Sequence, residues 1–133
     1  DYDGRPPVFP VGCVGLITNV QTTAEGESDI VLVAVTRFRI EDEVPGKPYR
    51  VARVSALPET EAEPDDVHAE RLRLEKMLAA SGDLGSIPSG LSDVELINGL
   101  AQHLNVDALA RQGLLEQDGV IERALALGKL IAP

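Results

Sequence analysis

Side chains able to do acid–base, nucleophilic or metal chemistry are few in this 133-residue chain, and their spacing does not group them. His68 and His103 are the two histidines, 35 positions apart, and neither has a second histidine or a cysteine at i+4. Cys13 is the single cysteine, so a zinc site would need ligands gathered from all over the chain. Cys13 lies inside an apolar run, where a small buried thiol is expected and no cation stands nearby to favour a thiolate. The serines of Ser86-Ile87-Pro88-Ser89-Gly90 lack the GxSxG frame that lifts a nucleophile out of a strand. Gly-Lys at 46–47 and at 128–129 lacks both the earlier glycine and the following hydroxyl of a phosphate loop. These residues point away from catalysis, and neither a metal nor a cofactor is expected.

Two charged features remain. Residues 59–66 (ETEAEPDD) hold five carboxylates and no base, half of the formal net charge of −10. Their order does not match a calcium loop, which alternates Asp or Asn about a central Gly and ends on Glu. A solvated acidic junction leading into a helix accounts for them better. The other feature is Arg37-Phe38-Arg39, which with Tyr49 is the candidate contact for a partner, because Arg and aromatic side chains anchor interfaces. Strand alternation predicts that Phe38 faces a core while Arg37 and Arg39 stay solvated on the opposite face. Nucleic acid is not an expected partner: four aromatics offer few stacking surfaces, and the acidic field opposes phosphates.

The elements that must position these residues change character at the acidic junction. Before it, Val11 to Val20, Ile30 to Ile40 and Tyr49 to Leu57 have the β-branched, alternating composition of strands. Short polar connections, one with Gly26 and one with Pro45-Gly46, imply an antiparallel meander. The second strand is apolar almost without a break up to Val35, which predicts a central strand covered on both faces. After the junction the period is helical: residues 65–80, then a helix opened by the capping-box sequence Ser92-Asp93-Val94-Glu95, with Val94, Ile97, Leu100, Ala101 and Leu104 on one stripe. A third helix is capped by Asp107, and a fourth runs from about Gln117 to Ile131 with Ile121, Ala124, Leu125 and Leu130 inward. Gly82 to Gly90 reads as a loop that could move. The expected organisation is an antiparallel β region (1–58), an acidic junction (59–66) and a helical subdomain (67–133), an α+β architecture. Three strands are too few to close a barrel, so more sheet is expected from a partner chain or from residues upstream.

No apolar run reaches the roughly 18–20 residues that span a bilayer, and one cysteine fits a reducing compartment, so no membrane association and a cytoplasmic location are expected. The chain opens on Asp1 rather than Met, the expectation for an excerpt or a processed product.

Val11-Gly12-Cys13-Val14-Gly15-Leu16-Ile17 resembles the "VGT-aliphatic-A-x-I" strand of the Lon protease N-terminal, or LON substrate-binding, domain. Val33 to Ile40 is similar to that family's "V-x-G-x-x-R-F-R-V" strand, although Ala34 or Thr36 stands where the family often has Gly, and Tyr49 to Val54 resembles its "PY-x-x-A-x-V" strand. Ser92 to Leu104, and Gly113-Leu114-Leu115-Glu116 through Arg123, resemble the closing helices with their "LLE...R" signature. The likeness runs over most of residues 8–131. The family's opening strands, "PLFPL" and "LPLHIFEPRY", have no counterpart beyond Val8-Phe9-Pro10-Val11. The resemblance implies an antiparallel PUA-like β pseudobarrel lacking its first strands, followed by a small helical bundle. It implies a bacterial, non-catalytic module that recognises polypeptide segments or a partner protein. The absence of an ATPase segment after Pro133 favours the free-standing form of the family. The alternatives are a PUA-like nucleic-acid-binding domain and a structural module that forms a homodimer, its missing β half supplied by the partner.

Overall fold

The structure is a computed structural model that describes residues 6–82 and 89–132. Tyr2 and most of the loop expected at 82–90, including Ser86, lie outside the described residues. The chain divides into two compact units, Asp1–Pro58 and Glu59–Pro133.

The first unit is a three-stranded antiparallel sheet in the order β1 (Val11–Thr22), β2 (Ser28–Val44), β3 (Val51–Leu57). The β1–β2 turn closes with Thr23 N donating to Glu27 O at 2.7 Å and Gly26 N to Thr23 O at 3.1 Å. Gly26, at φ 84°, supplies the left-handed residue this turn requires. Val11 to Thr22 pairs with Arg39 back to Ser28, with register shifts at Val14/Gly15 and Ile17/Asn19. β3 is much shorter than β2, so its pairing covers only Arg37 to Val44. Glycine is required at position 12 by packing: a Cβ there would lie 2.7 Å from Cζ of Phe38, its partner across the ladder.

The second unit holds α1 (Pro64–Ser81), α2 (Asp93–His103), α3 (Ala108–Leu115) and α4 (Val120–Ile131). Pro64 opens α1 where a missing N–H costs nothing, Asp65 and Asp66 follow in its positive first turn, and Gly82 closes it at φ 87°. Ser92 accepts from Glu95 N at 3.1 Å and Asp107 from Ala110 N at 2.8 Å, as the capping sequences predict. Val67, Leu74, Ile97, Leu114, Ala124 and Leu127 form the buried core.

Two helical stripes differ from expectation. α4 begins at Val120 rather than Gln117 and turns Arg123, Ala124, Leu127 and Gly128 inward, leaving Leu125 and Leu130 exposed. Burying Arg123 is what rotates the stripe, since its head has three acceptors inside the unit. In α2, Leu96 and Ile97 are buried and Val94 is exposed. The α+β expectation holds.

Candidate functional site

The apolar side chains of the β1–β2 hairpin are open to solvent. Val14, Leu16, Ile17, Val20, Ile30, Val31, Leu32, Val33 and Val35 are each between 45% and 64% exposed. Strand alternation places Ile30 and Leu32, with their partners Val20 and Ile17, on one face, and Val31 and Val33, with Leu16 opposite Val33, on the other. The expectation that β2 is covered on both faces is therefore not met. An unbroken apolar strand signals two faces that avoid water, and here neither face carries a packed layer among the described residues. Cys13 is exposed for the same reason, not buried as expected.

Along its second edge β2 changes character at Arg37. From Arg37 to Val44 it pairs with β3, and ion pairs cross that ladder: Asp42 to Arg53 at 3.2 Å, and Glu43 to Arg50 at 2.7 Å. Arg50 also donates to the carbonyl of Pro6. From Ile30 to Thr36 the same strand pairs with β1 alone among the described residues. Backbone donors and acceptors along that stretch face outward beside apolar side chains, the arrangement that accepts an added strand.

The four candidate contact residues do not converge. Arg37, expected in solvent, is only 7% exposed. It sits on the central strand, in register with Cys13 of β1 and Leu57 of β3. Phe38 is half-buried with its ring over Gly12, Arg39 is exposed, and Tyr49 is 63% exposed in the β2–β3 connection. Arg39 and Tyr49 remain accessible to a partner. The larger surface, Leu16, Ile17 and Ile30 to Val35, was visible in the sequence as hydrophobicity and the shortage of strands as an incomplete sheet; that both faces of β2 stand open was not.

The charged groups of the helical unit have structural partners. Arg123 donates from Nε to Leu114 O at 3.1 Å, from Nη1 to Asn98 Oδ1 at 2.9 Å and from Nη2 to Glu59 Oε1 at 2.9 Å. Thr60 N donates to Asp118 O at 2.8 Å, and Thr60 forms a parallel bridge with Gly119. The acidic junction is thus fastened at its start to the helices and becomes the first turn of α1 at its end. On the other side of α1, Asp93 receives Arg71 at 3.0 Å and His68 at 3.2 Å. The Arg71 guanidinium foremost, and then the His68 ring, hold the Asp93 carboxyl below the ordinary carboxylate range. His103, at the last position of α2, is exposed. No group of three or more His, Cys, Asp or Glu among the described residues is placed to hold a metal ion, and no described helix is long and apolar enough to cross a membrane.

Residues 1–132 match the family described as the ATP-dependent protease La (LON) substrate-binding domain. The chain belongs to this family. It is 26% identical over 117 residues to Lon protease 2 of Syntrophobacter fumaroxidans, covering 82% of the chain and 15% of that protein. It is 27% identical over 135 residues to Lon protease of Cytophaga hutchinsonii, covering 93% of the chain and 17% of that protein. The LON domain described here thus spans about a sixth of the curated relatives it matches. Among solved structures, the N-terminal domain of Mycobacterium avium complex Lon protease superposes with a TM-score of 0.66 at 21% identity, over 92% of this chain and 70% of that one. A Lon N-terminal domain protein from Xanthomonas campestris gives 0.59 at 21% identity, over 93% and 68%. At that identity the likeness establishes the fold, and the family match stands on sequence.

Proposed function

We propose that this LON domain is a non-catalytic, cytoplasmic recognition module that captures extended polypeptide segments on its β1–β2 hairpin. The observation that carries the reading is the stretch Ile30–Thr36, where an edge with no second strand among the described residues and two apolar faces coincide. An incoming strand would satisfy the outward backbone groups, and its alternate side chains would cover Leu32 on one face and Val33 on the other. Such recognition depends on backbone and hydrophobicity rather than a fixed motif, which suits unfolded segments of varied sequence. Arg39 and Tyr49 are proposed as flanking contacts. Residues 1–58 are read as the second part of a PUA-like barrel, with 59–66 as the junction to the helices.

Fluorescence anisotropy with a permanently unfolded, labelled polypeptide tests this. Saturable binding that is competed by unlabelled unfolded chains, and not by folded proteins, is the expected result. No binding above background would end the proposal. A homodimer formed through the same open hairpin is the second reading, favoured by the same uncovered faces. There, light scattering would show a dimer that added unfolded polypeptide does not dissociate.

A further inference from the structure

α3 and α4 enclose a groove with a volume of about 530 Å³, which reaches in to the core residue Leu114. Its floor is made of small residues, Ala110 and Gly113 from α3 and Ala126 from α4. A Cβ added at Gly113 would meet nothing within 4 Å, so a neighbouring backbone can approach closely. Leu125 lines the groove and is 47% exposed. Glu122 and Lys129, one turn to either side of the 125–126 pair, complete the stripe. The spacing 122, 125, 126, 129 is i, i+3, i+4, i+7, a single helix face, and it lies opposite the buried face formed by Arg123, Ala124, Leu127 and Gly128. Glu122 and Lys129 are about 10.5 Å apart along the axis, too far to pair with each other. Neither forms an ion pair among the described residues.

We propose that this groove is occupied by a second copy of the chain, with the two α4 helices antiparallel about a two-fold axis between residues 125 and 126. The argument is the self-complementarity of the stripe. In that arrangement residue 122 of one copy faces residue 129 of the other, so Glu122 meets Lys129 twice, and Leu125 of each copy packs against the small Ala126 of its mate. A two-fold interface requires each patch to complement itself, and a stripe ordered acid, large, small, base does so only when antiparallel. The groove walls permit the short interaxial distance of about 8–10 Å that helix pairs adopt. The contact area of two short helices is at the low end for specific association, so the dimer is expected to be concentration-dependent.

The whole 133-residue chain is examined by sedimentation velocity from about 10 µM to about 1 mM, as wild type, Glu122→Lys, Lys129→Glu, and an equimolar mixture of the two variants. Each variant alone sets like charges across the axis and is expected to weaken self-association at least tenfold. Mixing them restores opposite charges at both contacts, so heterodimers form at close to wild-type strength. The two charges also suit the α4 dipole, but loss of that favourable term destabilises each variant separately and is not repaired by mixing. The proposal is overturned if the wild type stays monomeric across the range. It is also overturned if the single variants associate as the wild type does, as they would in a dimer formed through the β sheet, or if mixing restores nothing, as with a foreign helix in the groove. Polypeptide capture on the β hairpin stands or falls separately.

Discussion

Replacing Arg123 by Met should unfasten the helical unit while leaving its apolar packing in place. The Arg123 side chain is 7% exposed and its three donors serve Leu114 O, Asn98 Oδ1 and Glu59 Oε1. Glu59 is 46% exposed and can rehydrate, so its ion pair contributes less than about 1 kcal/mol. The other two are charge-assisted bonds to neutral acceptors, each worth roughly 1.5–3 kcal/mol before the relief of burying a guanidinium is set against them. The net loss is then about 2–4 kcal/mol, a fall in Tm of roughly 10–25 °C for a unit of this size. Guanidinium titration followed by helical circular dichroism reads this directly. Arg111→Met removes one exposed bond to Leu104 O and should cost less than about 1 kcal/mol. Glu59→Gln should also cost less than about 1 kcal/mol. If Arg123→Met falls within about 0.5 kcal/mol of wild type, or no further than Arg111→Met, the guanidinium does not hold the unit together.

Three further outcomes follow. Gly12→Ala puts a Cβ against the Phe38 ring and should destabilise the sheet by about 1–3 kcal/mol; adding Phe38→Leu should recover part of that loss, a non-additivity that a double-mutant cycle of denaturation midpoints detects. Asp93 has its folded-state pKa lowered by Arg71 and His68, so its stabilising contribution is present above the ordinary carboxylate range and lost as pH falls through and below it. The stability gap between wild type and Asp93→Asn should therefore be widest near neutrality and close under acid, as urea titrations at stepped pH would show. Leu32→Thr places a β-branched residue, well suited to a strand, at a position 60% exposed, so stability should move by less than about 0.5 kcal/mol. Covering the exposed part of a leucine is worth about 1–2 kcal/mol, so anisotropy should report polypeptide affinity reduced roughly 5- to 30-fold.

Local chemistry was legible because it depends on neighbours in sequence. Ser92 and Asp107 had to cap helices, Gly26 had to turn the hairpin, and the change of period after Pro58 marked strands giving way to helices. The shortage of strands was legible from their number, but which side chains it would leave open, Leu32 and Val33 among them, was not, because an apolar run is the same string whether a layer covers it or not. Arg123 was hidden for a similar reason. Its acceptors lie 9, 25 and 64 positions away, and no periodicity places them around one guanidinium. Arg37 misled because alternation tells which face a side chain takes, not how deeply its neighbours enclose it.

Backbone hydrogen exchange of the whole chain, with and without saturating unfolded polypeptide, tests the capture proposal at the residues that carry it. Strand addition along the free edge predicts slowed exchange at the outward-facing amides of Ile30–Thr36, with little change in α1 to α4. Binding that leaves those amides unprotected, or that protects the helices instead, would contradict the account.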